Sequence, residues 1–253
     1  MGTSTSHPGP GSNSPLVPSW ADSNEQAPQP EPEGDRFRGF RTKLGQFVSG
    51  GDHGDLRSAL GRYARTATGG RAVGSRRFGS MARSGGALFD AMAALRDGRA
   101  PDVSGIDLAT LNGRDTDLVI EALVDALVPP NGDADRIRVA MQEALSEALE
   151  GMVEFDFNQI TDDIIVDMML AYVTQCIYEQ IVLDSRDAFA KATSAGRVEQ
   201  AEKAMRELVR SATDTYMEPL LTGNVRTLNG RMVEAVQLRA IADIWAEWEA
   251  YNQ

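Results

Sequence analysis

The chain has 253 residues, a formal net charge of −12, a hydrophobic fraction of 42% and a single cysteine, Cys176. That length fits one or two domains, and one thiol excludes an internal disulfide or a cysteine zinc site. No apolar run reaches the roughly 18 residues of a membrane span. The N-terminus lacks the basic and apolar regions of a secretory leader, so a soluble, cytoplasmic protein with no membrane partner is expected.

The charge is unevenly placed. Residues 1–34 carry four acids and no Lys or Arg, residues 35–100 carry a net +8, and residues 101–253 a net −16. Asymmetry of this kind marks a segment with its own partner: nucleic acid, another protein, or the acidic half of the same chain.

The chain opens Met1-Gly2-Thr3-Ser4-Thr5-Ser6. Removal of Met1 ahead of a small residue leaves Gly2 with an unhindered α-amine. Its pKa near 8 keeps a fraction uncharged and nucleophilic at neutral pH. The same six residues match the short, weakly specific N-myristoylation pattern. Seven prolines between Pro8 and Pro32, set among Gly, Ser, Asn and Gln, exclude regular helix and strand. Residues 1–34 are therefore expected to be a long disordered Gly/Pro/Ser-rich tail. Leu16-Val17-Pro18-Ser19-Trp20 is its apolar exception, read as a short docking motif or as a Trp resting on the parent fold.

Residues 35–83 form a basic, Gly/Arg-rich second segment. Phe37, Phe40, Leu44 and Phe47 recur at helical spacing among Arg36, Arg38, Arg41 and Lys43, which predicts a short amphipathic helix. Asp55 can cap a second helix carrying Leu56, Leu60 and Tyr63. The glycines at 69, 70, 74 and 79 lack Walker spacing and a preceding strand, so they are no phosphate loop. Arg71, Arg76, Arg77 and Arg83 can hold phosphates only by charge, or dock on the acidic bundle or on a partner.

Residues 84–253 read as an acidic helical bundle. Helices are predicted over 80–96, from Thr116 or Asp117 to Leu127, and from Asp133 or Asp135 to Leu149. A long apolar helix follows the cap Thr161, with Asp162 and Asp163 favourable at its N-terminus. Two more span about Arg197–Leu221 and Leu228–Tyr251. The fold class expected is all-α, a bundle of about five to seven helices behind the tail.

No catalytic constellation emerges. His7 and His53 are isolated, and Cys176 fits a small core residue. Asp163 and Asp167 share a helix face and could hold Mg²⁺, but capping and a solvated face explain them more simply. The chain is expected to be a non-enzyme that needs no cofactor.

Several strings, in order, carry a family resemblance: the Met1–Gly11 start, Leu16-Val17-Pro18-Ser19-Trp20, Leu60-Gly61-Arg62-Tyr63, Ser75-Arg76-Arg77-Phe78-Gly79, Gly105-Ile106-Asp107-Leu108, Ile181-Val182-Leu183-Asp184-Ser185 and Ile244-Trp245-Ala246-Glu247-Trp248-Glu249-Ala250-Tyr251. Together they resemble the QatB family of the bacterial Qat anti-phage system. The resemblance spans nearly the whole chain; its specificity lies in order and spacing. It implies a defence subunit beside a QueC-like enzyme (QatC), an ATPase (QatA) and a TatD-like nuclease (QatD). QueC-like enzymes use ATP to activate the carboxylate of a 7-deazaguanine and join it to an amine. The resemblance thus implies a covalent deazaguanine modification at Gly2, with Thr3 and Ser4 slim enough to thread the enzyme's channel. Trp20, Arg71, Arg76 and Arg77 are the expected partner-binding residues. The alternative is an adaptor that binds nucleic acid through residues 36–83 and recruits the nuclease.

Overall fold

Short polar side chains set most of the helix starts. Asp52, Asp115, Thr161, Ser194 and Asn229 each accept a hydrogen bond from a backbone N–H of the turn that follows, satisfying donors that have no partner inside the helix. The computed structural model describes residues 14–24, 26–100 and 110–251. Among them the helices are α1 (Arg38–Val48), α2 (His53–Arg62), the short α3 (Arg71–Gly74), α4 (Gly79–Arg96), α5 (Thr116–Leu127), α6 (Ala134–Ala148), α7 (Asp162–Ser185), α8 (Ala195–Leu221) and α9 (Gly230–Ala250). The only β pairing among these residues is one isolated bridge, Asp115 to Glu154. The all-α expectation holds, with eight helices of ten or more residues. None of them is long and apolar enough to cross a membrane.

Helix α7 lies at the centre and is buried almost all round. Ile165, Met168, Met169, Tyr172, Val173, Ile177 and Ile181 fill its contacts with α4, α6 and α8. Cys176 is among them, and burial pushes its thiol well above the ordinary range, as expected for an inert core residue. Helix α9 packs on α4, α8 and the 62–78 region. Gly86 of α4 meets Gly230 of α9 backbone to backbone, a contact that any Cβ would block. Asp90, one turn on, accepts from the Gly230 N–H.

The basic segment 35–83 was expected as a zone apart. Instead, Phe37, Phe40, Leu44, Phe47, Leu56, Leu60, Tyr63 and Phe78 belong to the same continuous core as Trp245 and Trp248. Phe78 meets Trp245 edge-on at 5.3 Å, and the Trp245 indole N–H donates to Thr68 Oγ1 at 2.8 Å. Helical spacing showed that these residues form apolar stripes. Only packing shows that the stripes face α9.

Candidate functional site: an arginine-clamped anchor for the N-terminal segment

Residues 14–24 and 26–36 do not hang free of the body; they lie along it. Val17 is 2% exposed and Ala21 fully buried. The tail is expected to run to residue 34; of it, residues 14–24 and 26–34 are seated on the body, and residues 1–13 and 25 lie outside the described residues. A polar segment that cannot bury its own apolar surface stays unfolded only where no other surface covers it. This segment uses a seat that the body supplies, and its carbonyls serve as acceptors for the body's arginines.

Arg76 is the main clamp. It follows the short α3, in a turn that aims it at the segment. Its Nε and Nη2 form a fork on Asp22 (3.0 and 2.7 Å to Oδ1 and Oδ2). Nη1 donates to the Pro28 carbonyl, and Nη2 also to those of Asn24 and Ala27. Asp22 and Arg76 are both buried. The Arg76 hydrogen bond outweighs burial and holds the Asp22 carboxyl below its ordinary range. Gln29 closes the loop from the other side: its amide exchanges two hydrogen bonds with the Val17 backbone and donates to Asp22 Oδ2. At the segment's root, Arg36 donates from Nη1 to Ser14 O at 2.7 Å and from Nη2 to Pro15 O at 3.3 Å.

The seat also depends on an absent side chain. A Cβ on Gly79 would lie 2.6 Å from the Ala21 carbonyl oxygen and 2.6 Å from the Ser23 nitrogen. Trp20 rests on Gly132, where a Cβ would lie 2.6 Å from the ring. Its carbonyl accepts from Arg83, and it remains 48% exposed.

Arg77, next to the clamp, points the other way. It forms a bidentate pair with Asp133, 2.8 Å at both contacts, and Arg136 joins the same carboxylate. Burial pushes Asp133 up, but Arg77 and Arg136 outweigh it and leave the carboxyl below the ordinary range. This explains why Asp133, predicted to start α6, sits at the cap position without capping. Deeper in the core, Asp184 Oδ2 accepts from Tyr63 OH at 2.7 Å and from Gln180 Nε2 at 3.0 Å. Burial raises its carboxyl against those two hydrogen bonds.

The residues singled out from sequence therefore scatter. Arg76 and Arg77 are buried and committed to Asp22 and Asp133, so neither is available to an external phosphate or partner in this arrangement. Arg71 is exposed but paired with Asp243, and its backbone N–H meets Glu249. Gly2, Thr3 and Ser4 lie outside the described residues. Asp163 and Asp167 are exposed on α7, and no group of three or more metal-ligating side chains occurs among the described residues. Sequence reasoning missed Asp22, Gln29, Arg36 and Asp133. The one local signal was the apolar Leu16-Val17 and Trp20 in an otherwise polar stretch.

The family model described as "QatB: Qat anti-phage system associated protein QatB" matches residues 69–247. The match covers Arg76, Arg77, Gly79 and Asp133, and leaves the anchored segment outside. No curated protein and no solved structure matches.

Proposed function

From the premise that this chain belongs to the QatB family, and is thus a protein of the Qat anti-phage defence system, we propose that it is a non-catalytic subunit. Its folded body presents an N-terminal arm to a QueC-like partner enzyme, and Gly2 is the acceptor amine. The observation that supports this reading is the anchor. A fork on Asp22, three carbonyl contacts and the Arg36 hold on Ser14 and Pro15 fix the point from which the preceding residues start. Twelve Cα-to-Cα steps separate Gly2 from Ser14, a reach of at most about 43 Å. Trp20 and Arg71 supply exposed surface for the partner, whereas Arg76 holds the seat from inside and Arg77 is committed to Asp133.

The chemistry suits glycine. The uncharged α-amine attacks the activated deazaguanine carboxyl carbon and the amide C–N bond forms. The carboxylate oxygen that ATP activated leaves with its phosphate group, and the amine's proton passes to solvent. With no Cβ, Gly2 puts no bulk beside the attacking nitrogen. Intact mass spectrometry of the chain co-expressed with its operon decides the matter. The expected result is an N-terminal mass gain of one deazaguanine acyl group that Gly2→Pro abolishes. An unmodified Gly2 in a system that protects against phage overturns the proposal.

A further inference from the structure

A cleft of about 330 Å³ lies between the turn that enters α1, the first turns of α1 and the turn after α7. Five cations line it, Arg36, Arg38, Arg41, Arg186 and Lys191, against one acid, Asp35. This concentration stands out on a chain of net charge −12. Two of the guanidiniums are short of acceptors. Arg36 is 4% exposed, and its Nε is buried without a hydrogen-bond partner. Arg41 donates from Nε to the Asp184 carbonyl at 2.8 Å, while its Nη2 is buried and unpartnered. Both guanidinium carbons lie over the Phe37 ring, 4.9 and 4.7 Å from its centroid, in cation–π contact. Burial disfavours both charges, and Arg186 adds repulsion on Arg41. The charge of the buried Asp184 on both, and of Asp187 on Arg41, offsets this only in part. Among the described residues no carboxylate hydrogen-bonds either guanidinium, and Asp184 Oδ2 takes Tyr63 and Gln180.

Buried donors without acceptors are rare and costly in native proteins. Preorganised guanidinium forks are the usual partners of phosphate oxygens, which supply several acceptors and the opposite charge together. We propose that this cleft binds the phosphate or pyrophosphate group of a small molecule. A small molecule is favoured over a nucleic-acid strand because the cleft has the size of a small-ligand site. The basic track that a strand would need is also consumed internally at Arg71, Arg76 and Arg77. Arg36 joins the cleft to the anchored segment, since its other two nitrogens hold Ser14 and Pro15.

The test is calorimetric titration of the full chain with pyrophosphate, and separately with a 20-nucleotide single-stranded DNA. One-to-one pyrophosphate binding is expected, weakened at least tenfold by Arg38→Glu or Lys191→Glu. Both side chains are exposed, so the fold should be retained. Arg231→Glu, an equal change of charge outside the cleft, should leave binding unaltered. The proposal falls if the wild-type chain does not bind pyrophosphate, or if the cleft variants bind it as well as wild type. It also falls if DNA binds more tightly than pyrophosphate and the cleft variants abolish that binding.

Discussion

Arg76 and Asp22 carry the clearest consequence at the scale of single residues. Removing one member of a buried ion pair leaves the other charged, desolvated and unpaired, at a cost of about 3 kcal/mol or more. Arg76→Ala should therefore lower stability by about that amount at neutral pH and expose residues 14–34 to proteinase K. Asp22→Ala in the same chain should restore part of the loss. The pH dependence follows from the depressed Asp22 carboxyl. Its contribution is present above the unfolded pKa of about 3.9 and is lost as pH falls through the lower folded value. The difference in thermal midpoint between wild type and Arg76→Ala should therefore narrow below that pH. A difference that stays constant down to pH 2 would show that the pair does not carry the docking. Asp22 was not readable as a site from sequence, because an acid in a Pro-rich stretch looks solvated until its partner, 54 residues away, is placed.

Among the elements, the α4–α9 pair rests on the direct meeting of Gly86 with Gly230. A methyl on Gly86 would press on backbone that cannot rotate aside, and overpacking of this kind costs about 1–3 kcal/mol. Gly196, in the first turn of α8, has open space around it. Gly196→Ala should be neutral or stabilising by about 0.5–1 kcal/mol, while Gly86→Ala should fall in the destabilising range. Chemical denaturation of the two variants separates the packing effect from glycine's intrinsic effect on a helix. Equal midpoints would mean that the interhelix contact is slack. The helices themselves are largely legible: the 3.6-residue period, the cap Thr161 and the start read at Asp133 or Asp135 place α7 and α6 nearly to the residue. The start of α2 was read at Asp55, while the structure caps it at Asp52. Both acids offer the same chemistry, and backbone conformation selects between them.

For the molecule as a whole, the basic and acidic zones meet in ion pairs across one core. Arg77 pairs with Asp133, Arg71 with Asp243 and Arg96 with Asp162, while Phe40, Tyr63 and Phe78 lie in the core with Trp245. Unfolding should accordingly be a single transition, with coincident midpoints by far-UV circular dichroism and by tryptophan fluorescence. A fragment of residues 84–253 should not fold alone, because the Trp245 and Trp248 face would lose its cover. An early, separate transition would identify residues 35–83 as an independent unit.

The sequence by itself determined the helical class, most helix boundaries, the apolar stripes and the charge zoning. These depend on local propensity and on a period shared by neighbouring residues. It also identified the family, through order and spacing along the chain. The tertiary structure decided which charges meet. It turned Arg76 from a surface cation into an internal clamp and committed Arg77 to Asp133, laid residues 14–24 and 26–36 on a seat opened by Gly79, and left Arg36 and Arg41 with buried donors in a cationic cleft. Ion pairing and burial join residues far apart in sequence, and no local period encodes such partners.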